Sequence, residues 1–134
     1  MSVPLPMDNR SRTSILVVDD HEPNVELIAA YLEDLNLPVR TASDGIEALR
    51  AIEADPPGVV LLDIMMPRMS GFQVCRKIKA DPRTRNIRVI MLTALNEVSD
   101  VEKATESGAD DYLTKPVTKA DLLARLKPHL PPEC

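Results

Sequence analysis

The chain has 134 residues, 44% of them hydrophobic, which is enough for one compact domain and too few for two. A formal net charge of −5 disfavours direct binding to nucleic acids and to anionic membrane surfaces. The two cysteines lack a metal or redox spacing, and the sequence has neither a membrane-length apolar run nor a secretory signal, so we expect a cytoplasmic protein.

Short apolar runs alternate with segments of helical period along most of the chain. Residues 1–13 have no apolar periodicity, and we expect a flexible lead-in there, followed by one domain at 14–127 and a tail at 128–134. The alternation of apolar runs and helical segments predicts an α/β domain with a parallel sheet covered on both faces. The predicted strands are 15–18, 39–42, 59–62, 89–92 and 109–113.

The first two predicted helices are marked by proline and by a capping residue. Pro23 suits the first turn of the first helix, and Pro38 lies beyond its end. Asp44 opens a shorter second helix. The apolar stripes that predict these helices are Val25, Ile28, Ala29, Leu32 and Leu35 in the first, and Ile46, Leu49 and Ile52 in the second.

The remaining helices also carry start and stop signals. Ser70 and Thr118 are each followed three residues later by Gln or Asp, which predicts a capping box before an apolar stripe. The fourth helix, roughly 97–107, has a thin apolar stripe and should end at Gly108. We expect the last helix to end just before Pro128.

Polar side chains follow four of the five predicted strands. The carboxyl ends of parallel strands meet at one edge of a sheet, where ligands bind. Each residue alone is explained without a function, because Asp is common in turns and helix caps and Lys and Thr are common anywhere. A cluster of acids opposite a lysine is not explained in this way. The residues at this edge are Asp19, Asp20, Asp63, Thr93, Thr114 and Lys115.

This set of side chains predicts a magnesium site. Two carboxylates about 4 Å apart repel by about 4 kcal/mol at an effective dielectric near 20, so a cation is needed. Oxygen donors without a convergent His or Cys favour Mg²⁺, with Mn²⁺ as a substitute. We assign no role to His21 or His129.

Magnesium together with phosphate points to phosphoryl transfer, with Asp63 on the middle strand as the acceptor. Because no residue is placed as a strong general base for water, the phosphoryl group should persist. The supporting residues we expect are Asp19 and Asp20 at the metal, and Lys115, the Thr93 hydroxyl and the Ala94 backbone N–H at the phosphoryl oxygens.

Over residues 14–126 the chain resembles the receiver domain of two-component response regulators, including the chemotaxis receivers. The resemblance implies a single doubly wound, five-stranded parallel sheet of order 2-1-3-4-5 with five helices, a flavodoxin-like fold. The motifs that carry it are ILVVDDHEPN, VVLLDIMMPRMSGFQV, VIMLTA and ADDYLTKP.

The resemblance also implies details of the site. The backbone carbonyl of Met65 should complete the metal shell, and the Lys115–Pro116 peptide bond should be cis. The donor should be a phosphohistidine on a sensor histidine kinase or a histidine phosphotransfer protein, and small acyl phosphates should also serve. The chain would then be a phosphoacceptor domain rather than an enzyme.

A switch is implied as well. Thr93 should move toward the phosphoryl group, and Tyr112 should rotate into the vacated space. This change would alter the surface formed by helix four, strand five and helix five, and so control a partner, an attached effector or a phosphorylation-dependent homodimer. From the sequence unaided, simple packing explains Tyr112 equally well. The apolar Met65 and Leu95 predict slow self-dephosphorylation.

Three other interpretations compete with this one. An aspartyl-phosphate phosphatase needs a second acid two residues after the nucleophile, where Met65 stands. A nucleotide or flavin module needs a Gly-rich loop after strand one, which the sequence lacks. A degenerate receiver that only binds partners is disfavoured because every expected site residue is present. The basic stretch at 76–88 is interpreted as a solvated face rather than a nucleic-acid patch.

Overall fold

The computed structural model describes residues 14–93 and 98–130 of the chain. The predicted lead-in, Ala94, Leu95 and residues 131–134 lie outside the described residues. The strands are β1 (Ile15–Val18), β2 (Val39–Ala42), β3 (Val59–Asp63), β4 (Arg88–Thr93) and β5 (Asp111–Thr114). The helices are α1 (Glu22–Leu32), α2 (Gly45–Ala54), α3 (Gly71–Ala80), α4 (Val98–Glu106) and α5 (Lys119–Leu126).

The strands form one parallel sheet in the order β2-β1-β3-β4-β5. This arrangement confirms the predicted doubly wound, flavodoxin-like fold. β5 begins two residues later than predicted because Asp110 bonds to Val89 through both its backbone and its side chain before the strand starts. Its backbone N–H donates to the Val89 carbonyl, and its carboxylate accepts the Val89 N–H at 2.8 Å.

The core has two apolar layers, one on each face of the sheet. Alternate residues of a strand point to opposite faces, so Leu16 and Val18 pack against α2 and α3, whereas Ile15 and Val17 pack against α1 and α5. All four side chains are fully buried. The near-continuous apolar strands therefore reflect burial on both faces, as predicted.

The predicted helix starts are present. Asp44 Oδ1 accepts the Glu47 N–H at 2.7 Å, and Thr118 Oγ1 accepts the Asp121 N–H at 3.1 Å. Ser70 forms a complete capping box with the third residue of α3. α4 is followed by Gly108, whose φ of 95° is typical of a residue just after a helix.

The apolar stripe predicted for α2 is partly wrong. Ile46 is 46% exposed, whereas Gly45, Ala48 and Ile52 are buried. A Cβ on Gly45 would lie 2.8 Å from Val74 Cγ2, so the helix approaches α3 through its small residues. This close approach turns Ile46 outward.

The chain also differs from the predictions at two helix ends. α1 stops at Leu32, and Leu35 lies in a following 3-10 turn. α5 ends before Pro128 as predicted, but a second 3-10 turn, Lys127–His129, follows it, and Leu130 packs against the core. Among the described residues, no helix has the length and apolarity needed to cross a membrane.

A polar cluster joins three segments at the amino edge of the sheet. Lys79 Nζ, at the end of α3, donates to the Ile87 carbonyl at 2.7 Å and lies 2.8 Å from Asp110 Oδ2. Burial would raise the pKa of Asp110, but the hydrogen bonds from Lys79 and Val89 and the charges of Lys79 and Arg88 hold this pKa below its ordinary value. The ion pair is therefore stabilising.

Candidate functional site

The carboxyl edge of the sheet brings together four of the predicted side chains. Asp19 follows β1 and Asp63 ends β3, and both are buried, with exposures of 1% and 4%. Asp20 is exposed. Oxygens of these three carboxylates lie within 4.8 Å of one another. Lys115, the residue after β5, reaches into the cluster.

Lys115 is shared between two of the acids. Its Nζ lies 3.0 Å from Asp63 Oδ1 and 3.3 Å from Asp19 Oδ2. The backbone N–H of Lys115 donates to the Thr93 carbonyl at 2.6 Å, so the last residue of β4 holds the lysine at this edge. These groups are far apart in sequence, and the pairing of their strands brings them to the same edge of the sheet.

Asp19 is held in place by the start of α1. Its Oδ1 accepts the backbone N–H of His21 at 2.9 Å, and its Oδ2 lies 3.5 Å from Asn24 Nδ2. The N–H of Asp19 donates to the Ala42 carbonyl at 3.2 Å. Its carboxylate therefore has a fixed orientation. The contact from Asn24 was not among the predictions, although the ILVVDDHEPN motif contains this residue.

Burial and neighbouring charges oppose each other at the site. Burial raises the pKa of Asp63 above its ordinary value of 3.8, and the charge of Asp19 adds to this, although the hydrogen bond and charge of Lys115 lower it. Burial would lower the pKa of Lys115, but its hydrogen bond with Asp63 and the charges of Asp63 and Asp19 raise it above its ordinary value. The lysine is therefore a cation at neutral pH.

The three carboxylates fit Mg²⁺ by donor chemistry and by spacing. All donors are oxygens, which Mg²⁺ prefers. Ligands on opposite sides of an octahedral Mg²⁺ lie about 4.2 Å apart, given bond lengths of about 2.1 Å. Oxygens within 4.8 Å therefore need only small movements to share such an ion.

The loop between β3 and α3 is folded closely behind Asp63. Gly71 N–H donates to the Ile64 carbonyl at 2.9 Å and closes the loop. A Cβ on Gly71 would lie 2.3 Å from the Asp63 carbonyl oxygen, so only glycine allows this approach. Gly71 was not among the predicted site residues, although a glycine at the first position of a helix is a signal of such close packing. Met65 projects from the same loop and is 71% exposed.

The other predicted site residues lie nearby or outside the described residues. Thr93 is fully buried, and the Lys115–Pro116 peptide bond is cis, the isomer that the resemblance implies. Tyr112 is 37% exposed, with the Arg125 guanidinium 5.8 Å from the centre of its ring. Ala94, predicted to donate a backbone N–H, is outside the described residues.

Comparison with known proteins identifies relatives of this arrangement. The family model for the response regulator receiver domain matches residues 15–127. The response regulator PleD of Caulobacter vibrioides is 50% identical over 113 residues, which are 84% of this chain and 25% of that protein. The DNA-binding dual master transcriptional regulator RpaA of Synechocystis is 40% identical over 113 residues, which are 84% of this chain and 47% of that protein. The chain thus spans about a quarter to a half of these relatives.

Solved structures of receiver domains have the same fold as this chain. The receiver domain of a signal transduction histidine kinase from Syntrophus aciditrophicus has a TM-score of 0.82 and 35% identity, covering 88% of this chain and 89% of that one. The receiver domain of the sensor histidine kinase PA1611 from Pseudomonas aeruginosa, solved with a magnesium ion coordinated in its active site cleft, has a TM-score of 0.80 and 34% identity, covering 87% and 95%. Receiver domains are phosphoacceptor signalling domains, and by this match the chain belongs to the response regulator receiver domain family.

Proposed function

We propose that the chain accepts a phosphoryl group from a phosphohistidine donor onto the carboxylate of Asp63 in a magnesium-dependent reaction. The observation that carries the proposal is the meeting of three carboxylates within 4.8 Å beside one shared lysine. The donor would be a sensor histidine kinase or a histidine phosphotransfer protein. We infer a cytoplasmic location for this exchange.

The chemistry follows from the groups at the sheet edge. A carboxylate oxygen of Asp63 attacks phosphorus, the P–N bond to the donor imidazole breaks, and an aspartyl phosphate forms. Lys115, now 3.0 Å from Asp63 Oδ1, would pair with a phosphoryl oxygen. The Thr93 hydroxyl and the Ala94 backbone N–H would donate to the others.

The residues that would hold Mg²⁺ are Asp19, Asp20, Asp63 and the backbone carbonyl of Met65. The ion would supply positive charge to the transferring oxygens. The magnesium in the PA1611 receiver supports this assignment for a related chain. Mn²⁺ should substitute because it accepts the same oxygen donors.

The output of the switch is the surface of α4, β5 and α5. Movement of Thr93 toward the phosphoryl group would let Tyr112 leave its 37% exposed position and change this surface. The surface would then control a partner, an attached effector or a homodimer. A degenerate receiver that binds partners without phosphorylation is disfavoured because the acids and the lysine are assembled together.

Acetyl phosphate with Mg²⁺, followed by intact mass measurement, tests the acceptor. The wild type should gain one phosphoryl group, and Asp63→Asn should gain none. Asp110→Asn is the matched control, because it removes a carboxylate paired with a different lysine at the other edge and should label normally. An unlabelled wild type, or equal labelling of Asp63→Asn, would refute the proposal.

A further inference from the structure

Arg68 has a backbone conformation that its own residue type does not favour. Its φ is 67°, and Met69 N–H donates to the Pro67 carbonyl at 2.7 Å, so Arg68 is the central residue of a γ-turn with positive φ. Turns of this kind are rare and strained. Asn36 has the other positive φ of a non-glycine residue among the described residues, and it ends a 3-10 turn, where asparagine is well tolerated.

Local contacts do not explain why this position holds an arginine. The side chain is 75% exposed, and a guanidinium nitrogen lies 3.9 Å from Asp44 Oδ2. An exposed ion pair with this geometry contributes little to stability. The other oxygen of Asp44 already accepts the N–H that starts α2. Backbone strain without a stabilising contact is a feature of functional positions.

The surroundings of Arg68 present a charge problem for the reaction. The donors are anionic, and although Lys115 and a bound divalent ion would balance Asp19, Asp20 and Asp63, the acids around them stay uncompensated. The cleft beside these acids, between α1 and α2, is lined by further acids, Glu22, Glu26 and Glu47. A doubly charged phosphate compound is therefore repelled on its approach unless cations offset this field.

We propose that Arg68 is an electrostatic capture residue for anionic phosphodonors. The strained turn holds its guanidinium exposed on the loop that follows the acceptor, where it attracts the phosphoryl group without touching the reacting atoms. This inference rests on the proposed function. It makes Arg68 a positioning residue, and its ligand class is the phosphate dianion of an acyl phosphate or a phosphohistidine.

The charge of Arg68 can act on an anion near Asp63 at low salt but is screened at high salt. Arg68 lies five positions after Asp63, so their Cα atoms are at most about 17 Å apart. The Debye length is about 30 Å at 0.01 M ionic strength and about 3 Å at 1 M. At about 15 Å in water and about 0.01 M ionic strength, one cation increases the local concentration of a singly charged anion about 1.3-fold and of a doubly charged anion about 1.8-fold.

The test compares labelling rates with acetyl phosphate, which is doubly charged at neutral pH, and phosphoramidate, which is singly charged. Arg68→Gly removes the charge and the strained side chain, and Arg68→Lys keeps the charge. Arg83→Gly is the matched control, because Arg83 is 77% exposed, also pairs with one aspartate, and lies in the loop between α3 and β4.

At about 0.01 M ionic strength, Arg68→Gly should label about 1.8-fold more slowly with acetyl phosphate and about 1.3-fold more slowly with phosphoramidate. Both losses should vanish at about 1 M salt, and Arg68→Lys should restore the wild-type rate. Arg83→Gly should lower the labelling rate less than Arg68→Gly does with either donor.

Three results would overturn the inference: a wild-type rate for Arg68→Gly at low salt, equal losses with the two donors, or a loss that persists at high salt. The last two would assign Arg68 a purely structural role. Since glycine adopts a positive φ without strain, a urea midpoint for Arg68→Gly at or above that of the wild type would show that the variant is folded. A wild type that takes no label from either donor would instead refute the proposed function, and the inference with it.

Discussion

Replacing Asp63, the proposed acceptor, by asparagine should make the metal-free protein more stable. The carboxylate is 4% exposed, and burial of an ion carries a penalty of several kcal/mol. At an effective dielectric of about 20, the attraction of Lys115 at 3.0 Å is about 5.5 kcal/mol, while Asp19, within 4.8 Å, repels by at least about 3.5 kcal/mol. These Coulomb energies largely cancel, so burial decides the sign.

We expect Asp63→Asn to raise the free energy of unfolding by about 1–3 kcal/mol at pH 7.5 in EDTA. The pH dependence follows from the raised pKa of Asp63. In the wild type, the protonated acid is favoured on folding, and this stability is lost as the pH rises through the pKa of the folded state. The advantage of Asp63→Asn should therefore disappear below the ordinary pKa of aspartate. Saturating Mg²⁺ should also reduce it, since the ion stabilises the wild type more.

Urea denaturation followed by circular dichroism measures these differences. Asp110→Asn is the control with the opposite sign. The pKa of Asp110 is held low, since its hydrogen bonds and the charges of Lys79 and Arg88 outweigh burial, so the pair stabilises the fold above the ordinary pKa. That variant should lose stability at pH 7.5. An Asp63→Asn variant less stable than the wild type in EDTA would refute the reasoning.

Three further substitutions test the loop, the helix start and the lifetime of the phosphoryl group. Gly71→Ala should lower the free energy of unfolding by about 3 kcal/mol, measured in urea, because its Cβ would lie 2.3 Å from the Asp63 carbonyl oxygen. Asp44→Ala should lower the free energy of unfolding by about 1 kcal/mol because it removes the cap of α2. Asp44→Asn should keep most of this stability, since asparagine also caps helices. Met65→Asn should speed loss of label from the isolated phosphoprotein about tenfold, below the ~10²-fold that a well-placed general base gives, and Met65→Leu should not.

The sheet and the site were predictable because they depend on periodicity and on strand ends. Apolar runs define the strands, parallel strands end at one edge, and Asp19, Asp63 and Lys115 then meet once the strand order is given. The strand order came from the family resemblance, since the apolar pattern alone does not specify which strands are neighbours.

Features that depend on close packing were not predictable. Ile46 fits an apolar stripe by spacing, yet it is exposed because Gly45 and Ala48 bring α2 near α3. The positive φ of Arg68 has no signal in its residue type, since glycine or asparagine is expected there. The exposure of Ile46 depends on a contact between two helices, which the spacing of apolar residues does not reveal.

Lys115, shared between Asp19 and Asp63, also determines which cations the site prefers. With all three acids ionised, one ammonium leaves two net negative charges. A monovalent ion such as Na⁺ would neutralise only one of these charges, and a trivalent lanthanide would leave a net positive charge. A divalent ion would neutralise both. Since the raised pKa of Lys115 keeps it protonated, this valence selectivity should hold throughout the neutral pH range.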